Sequence, residues 1–233
     1  MRLYPIKKTS AHKLPIACDR HPAFQMRLIN YVLMNGNSSM NTTVNGLRHG
    51  KEVNMSDIEH EAKIINISPA TIRRRLKKIG ATKVGDYHFR RYVFDTMPAS
   101  PDRWVRLRSD GKSTTLTVKE INSSTIDGTN EWEVAVSDLA TTLKILEKIG
   151  IKPRGYQENK REEYQLDGVQ IAIDSWPKLE PYVEIEATNS AEVIATASRL
   201  GYSEQTLVAE NTTELYRKIG MDIKKIAELK FED

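Results

Sequence analysis

Three segments of this 233-residue chain carry the triplet Glu-x-Glu in a strand-like setting: Glu59/Glu61, Glu131/Glu133 and Glu184/Glu186. Residues two apart on a strand point to the same side. Each pair therefore shares a face, while Ile58, Ala62 and Ile64, then Trp132 and Val134, then Val183 and Ile185 occupy the opposite one. Like charges about 7 Å apart on one strand face repel, so three such pairs make a poor solvent-facing surface. Basic residues follow the same rule. Arg106 and Arg108 alternate with Val105 and Leu107, and Thr115, Thr117 and Lys119 alternate with Leu116 and Val118; Lys63 shares the face of Glu59 and Glu61. Strands apolar on one side and ionised on the other are satisfied by a closed antiparallel barrel, with the apolar faces outward under helices and the ionised faces inward. A charged lumen is stable only if wet or filled by counter-charge. Gathered carboxylates hold hard cations and gathered Arg and Lys hold phosphate oxygens, so the implied filling is a polyanion with a divalent metal.

The rest of the chain from residue 57 supports this reading. Ser68-Pro69 reads as N-cap and first turn of a helix ending at Gly80; Ser137 caps a helix running to Gly150; Asn189 or Ser190 opens a third, ending before Gly201. Strands are expected at IEHEAKI, YHFRRYVFDT, WVRLRS, TTLTVKE, EWEVAV, QENKREEYQL, VQIAIDSW and YVEIEA, with a hairpin turn at Asp110-Gly111. The tail from Thr212 reads as helix twice, broken near Gly220. Three times, a Glu-x-Glu strand accompanies a capped helix that ends at glycine, a weak internal repeat. Strand-rich order without Gly-rich phosphate loops indicates antiparallel α+β rather than a doubly wound sheet.

Charge is divided unevenly. Residues 1–55 hold eight Lys/Arg against Asp19 and Glu52, a balance of +6, whereas the remaining 27 basic and 29 acidic residues sum to −2. The net +4 therefore belongs to the first quarter of the chain and gives no reason to expect nucleic acid at the core. Residues 1–55 are rich in Asn, Ser, Thr and Gly, which favours a disordered basic extension over a transit peptide or a nucleic-acid-binding arm. Met55-Ser56-Asp57 looks like a natural beginning, and the regular domain is expected over 56–233. No apolar run approaches the ~20 residues of a membrane span. A single cysteine, Cys18, excludes a disulfide framework and a cysteine-based zinc site, and a cytoplasmic location is expected.

IEHEAK resembles the E-x-E-x-K signature of the CYTH proteins, or triphosphate tunnel metalloenzymes, which include class IV adenylate cyclases, thiamine triphosphatases and inorganic triphosphatases. WVRLRSDG, TLTVKE, EWEVAVSD, ENKREEY, IAIDSWP and LEPYVEIEA, then Tyr216 in ELYRKIG, follow in the family's order over residues 57 to about 219. The resemblance implies an eight-stranded tunnel for a triphosphate-bearing small molecule. Glu59, Glu61, Glu131, Glu133, Glu184 and Glu186 would bind Mg2+ or Mn2+, with Asp174 close by; Lys63, Arg106, Arg108, Lys119 and Arg161 would bind the phosphates. Catalysis would fall to Glu59, Glu61, Glu133 and Asp174. The family commonly has Lys-x-Arg where this chain has Asn159-Lys160-Arg161, which removes one phosphate contact unless a bulge turns Lys160 inward.

Other residues have plainer expectations. His60 should face outward, His88 should be structural or exposed, and Arg73, Arg74 and Arg75 should form a solvated helix face. Trp104 has the parity of the tunnel mouth, whereas Trp132 and Trp176 read as packing residues. The leading function is a metal-dependent triphosphatase. A class IV adenylate cyclase and a non-catalytic polyphosphate- or nucleotide-binding module are the alternatives, and a homodimer is left open.

Overall fold

The computed structural model describes residues 57–232, so the expectations for residues 1–55, including the basic extension and the start at Met55, lie outside the described residues. The described chain runs β1 (Asp57–Ile64), α1 (Pro69–Lys78), β2 (Thr82–Ser100), β3 (Arg103–Ser109), β4 (Thr114–Ile121), β5 (Thr129–Val136), α2 (Leu139–Lys148), β6 (Pro153–Leu166), β7 (Val169–Trp176), β8 (Leu179–Ala187), α3 (Ser190–Arg199), α4 (Thr212–Lys218) and β9 (Glu228–Leu229). Eight strands pair antiparallel in the order β2-β3-β4-β5-β1-β8-β7-β6, and a β2–β6 ladder closes the ring into the expected barrel. Two residues of β9 add alongside β6 in parallel. Closure leaves the eight strands without free edges.

Side-chain parity then fixes inside and outside. Ala62 and Ile64 of β1, Ile171 and Ile173 of β7, and Val183 and Ile185 of β8 point outward and are sealed by Ile72 and Leu76 of α1 and Val193, Ala197 and Leu200 of α3. Each such Ile, Leu or Val side chain contributes about 1.5–3 kcal/mol when fully buried. Phe94, Leu107 and Leu146 form a smaller cluster under α2. The helical cover stops short of β5, where Trp132 and Val134 remain 38% and 48% exposed; the packing role expected for Trp132 is not realised. Trp176, in contrast, packs against Tyr216 of α4 as expected.

The helix ends follow their sequence cues with two corrections. Gly80, Gly150 and Gly201 take φ of 84°, 92° and 82° just beyond α1, α2 and α3, a conformation that side-chain-bearing residues rarely adopt. Pro69 opens α1 as expected. The cap of α2 is Asp138 rather than Ser137, because its carboxylate accepts the Thr141 N–H at 2.6 Å. Beyond Gly220 the tail makes only a 3-10 turn at Ile223–Lys225 before β9, not a second α-helix. With seven residues in α4 and apolar Ile223 and Leu229 buried against Trp176 and Tyr182, this tail seals one flank of the barrel. No helix among the described residues is long and apolar enough to cross a membrane.

Candidate active site

The inward strand faces surround a cavity of about 1100 Å³. All twelve charged residues singled out in the sequence line it, and strand order sorts them by sign. The adjoining strands β5, β1 and β8 supply all six glutamates. Arg106 and Arg108 on β3, Lys119 on β4 and Arg161 on β6 come from the other part of the ring, with Asp174 on β7 beside the glutamates of β8. Lys63, on β1, is the cation embedded in the acidic sector.

Cross-strand register brings opposite charges together. Lys63 lies opposite Glu184 and Lys119 opposite Glu131. Lys63 contacts Glu61 and lies 3.5 Å from Glu184. Lys119 Nζ is 2.6 Å from Glu59 and 3.1 Å from Glu131. Arg106 Nη2 reaches Glu131 at 3.0 Å and Glu133 at 3.3 Å. Arg161 forks onto Asp174, with Nε and Nη2 donating at 2.8 and 2.7 Å, and also contacts Glu184. Arg108 stands at 4.0 Å from Glu133 and stacks on Phe89, its guanidinium carbon 4.5 Å from the ring centre.

The acidic sector holds more carboxylate than its cations neutralise. Burial, reinforced by Glu131 and Glu61, pushes the Glu59 carboxyl up to about 9 despite Lys119. Burial opposes charge on Glu131 too, but Lys119, the hydrogen bond from Glu59 and Arg106 hold it well below the usual carboxylate range. Glu186 is raised by burial and by Glu61, which faces it across the β1–β8 ladder. Arg161 and Lys63 overcome burial and hold Glu184 low. A site whose crowded carboxylates raise Glu59 and Glu186 is chemically suited to a hard divalent cation, since every donor is oxygen. Among the described residues, however, no three acidic groups stand as a preformed metal cage. Lys63, Lys119, Arg106 and Arg161 occupy those carboxylates instead.

A CYTH domain model matches residues 57–212, two thirds of the chain. The chain belongs to the CYTH family. Among solved structures, the PH1012 protein of Pyrococcus horikoshii OT3 matches with a TM-score of 0.59 at 24% identity, over 67% of this chain and 98% of that one. A conserved hypothetical protein of Pyrococcus furiosus gives 0.59 at 21%, over 67% and 99%. A candidate adenylate cyclase of Vibrio parahaemolyticus gives 0.59 at 14%, over 69% and 98%. These likenesses establish the shared fold. No curated protein matches this CYTH sequence.

The remaining sequence expectations resolve individually. His60 faces outward, its Nδ1 3.1 Å from Ser190 Oγ, and His88 lies on the outer face with Glu158. Trp104 lines the cavity as expected; Trp176 lines it as well as packing behind it. The solvated face expected of α1 is only partly realised, because Arg73 forks onto Glu162 and Arg75 donates to the Leu200 carbonyl at 2.7 Å. Asn159 faces inward and is buried, while Lys160 faces out over Phe231; the β2–β6 register runs unbroken through both, so no bulge turns Lys160 inward. The sequence reading does not single out Arg103, Arg154 and Lys224, which also line the cavity, nor Arg91 of β2, a buried cation next to Arg90 in a strand with aromatic residues on both faces.

Proposed function

We propose that this CYTH protein is a metal-dependent phosphohydrolase acting on a triphosphate held in the barrel lumen. The observation that carries the reading is the sorting of charge around one cavity, with six glutamates on β5, β1 and β8 facing cations on β3, β4 and β6. A pure anion binder gains nothing from six carboxylates, and a pure cation binder gains nothing from the arginines.

Lys63, Arg106, Arg108, Lys119 and Arg161 bind the phosphate oxygens, exchanging their glutamate partners for the triphosphate chain. That exchange frees Glu59, Glu61, Glu131, Glu133, Glu184 and Glu186, the residues that would hold Mg2+ or Mn2+. When bound, the divalent cation supplies charge neutralisation on the phosphate oxygens. Asp174 holds the Arg161 fork in place at 2.7–2.8 Å, so the guanidinium is aimed before substrate arrives. Glu133, the most exposed of these carboxylates at 35%, is placed to orient an incoming water. In the step itself the water oxygen bonds to phosphorus and the P–O bond to the leaving phosphate oxygen breaks. The electron pair stays on that oxygen, and the water proton passes to a lumenal carboxylate.

The test is a substrate panel of tripolyphosphate, ATP and thiamine triphosphate with magnesium or manganese, reading out orthophosphate, pyrophosphate and cyclic AMP. Metal-dependent release of orthophosphate is expected. Its absence from every substrate would sink the hydrolase reading, and cyclic AMP with pyrophosphate from ATP would transfer the site to cyclisation.

A further inference from the structure

Arg91 differs from the five lumenal cations that the sequence singles out. Lys63, Lys119, Arg106, Arg108 and Arg161 each stand within 4.0 Å of a carboxylate, whereas Arg91 has no ion pair among the described residues. It lines the cavity and is 7% exposed. Its Nη2 donates to Asn159 Oδ1, and Asn159 Nδ2 passes a 3.3 Å bond on to Asp174. Its guanidinium lies over the Trp176 ring at 4.5 Å, and its Nε has no acceptor. Arg108 is directly opposite on β3 and Gln157 directly opposite on β6. Burial, with Arg106, Arg108 and Arg161 near, makes the charge on Arg91 costly, and Asp174, beyond Asn159, offsets it in part. Folding gains little from a buried cation left in this state, since an unpaired buried charge is one of the more destabilising things a core can hold.

We propose that Arg91 is a substrate-binding residue whose missing counter-charge is a phosphoryl group of the bound triphosphate, and that it completes an arginine corner with Arg106, Arg108 and Arg161. The inference rests on the triphosphate reading above and deepens it. A guanidinium with free donors can fork onto two oxygens of one phosphoryl group, which fits a terminal group, with three unbridged oxygens, better than an internal one. Four guanidiniums converging on one end of the chain favour substrates that end in an unesterified phosphoryl group, and inorganic tripolyphosphate meets this at both ends. Asn159 positions Arg91 by accepting from it while its amide donates toward Asp174.

The test measures tripolyphosphate binding to the full-length protein by calorimetry, with EDTA present so that no turnover occurs, together with the ligand-free melting temperature. Arg91→Met should weaken binding about 10- to 100-fold, the range of a lost charge-assisted contact. It should leave the ligand-free melting temperature equal to or above that of wild type, an outcome that a structural arginine would not produce. Adding Asn159→Lys to Arg91→Met returns a cation to the same corner and should recover much of the affinity. If Arg91→Met does not fold, Arg91→Gln, which keeps a donor for Asn159, takes its place in the same measurement. Binding by these variants equal to wild type would overturn the role of Arg91 and leave the triphosphate reading standing. No tripolyphosphate binding by wild type, in EDTA or with magnesium, would overturn both.

Discussion

Lys63 and Glu133 occupy the same lumen but differ widely in solvent contact, 4% and 35% exposed, and their substitutions should separate folding from chemistry. Lys63 sits between Glu61 and Glu184, so Lys63→Met leaves carboxylates buried without their cation. About 3 kcal/mol of stability should be lost, read as a lower urea midpoint with unchanged slope. Glu133→Gln keeps shape and the Thr117 hydroxyl contact, and its partial exposure limits the cost. Its stability should stay within about 0.5 kcal/mol of wild type while metal-dependent phosphate release falls roughly 100-fold. Equal unfolding of both variants would make these charges structural. Arg161 and Asp174 are assigned only through the family resemblance, whereas the lumenal charges on β1, β3, β4, β5 and β8 are legible from the sequence because each lies on a strand whose other face is plainly apolar. Arg91 is not, because Tyr87, Phe89 and Val93 share its face while His88, Arg90 and Tyr92 share the other, and such a strand has no unique inside. Only the pairing of β2 with both β3 and β6 decides it.

At the scale of elements, α1 and α3 are built alike, yet their starts differ. Asn189 accepts the Glu192 N–H at 3.0 Å, whereas Ser68 makes no side-chain cap bond and α1 begins instead on the fixed backbone of Pro69. Asn189→Ala should therefore cost about 1 kcal/mol and Ser68→Ala only a few tenths, compared by thermal or urea unfolding. A larger loss at Ser68 would mean that its hydroxyl caps α1 in solution. Helix ends were legible from Gly80, Gly150 and Gly201, since a left-handed residue there has little alternative to glycine. The α2 cap was misplaced by one residue, because Ser137 and Asp138 are both good caps and sequence cannot say which carboxylate or hydroxyl meets the Thr141 N–H. The tail reads as two helices in sequence because its spacing is helical on both sides of Gly220. Burial of Ile223 and Leu229 against Trp176 and Tyr182, a tertiary demand, fixes a 3-10 turn and a strand pairing in place of the second.

For the whole molecule, closure turns an unfavourable set of strand faces into a single binding volume. The same feature that makes the ligand-free lumen strained in charge makes it responsive to a ligand. Carboxylates crowd on β5, β1 and β8 so that burial and neighbouring glutamates raise Glu59 and Glu186, and guanidiniums crowd around Arg91 on the other side. On the proposed function a triphosphate with a divalent cation would supply both missing charges at once, so neither component alone should match the pair. Glu133→Gln, which is expected to turn substrate over slowly, allows this to be measured by differential scanning calorimetry. At 100 times its dissociation constant, a ligand specific for the folded state adds about 2.7 kcal/mol. For a domain of this size that is roughly 5–10 °C in melting temperature. Tripolyphosphate plus magnesium should reach that range, with smaller shifts for either alone. Raising ionic strength to about 1 M should shrink the ligand-induced shift, since it screens the approach of a highly charged anion, but scarcely move the ligand-free transition, whose lumenal pairs are shielded from solvent. A ligand-free melting temperature that tracked salt as steeply as the bound one would show that the charged faces meet bulk water, and the closed lumen would no longer explain their arrangement.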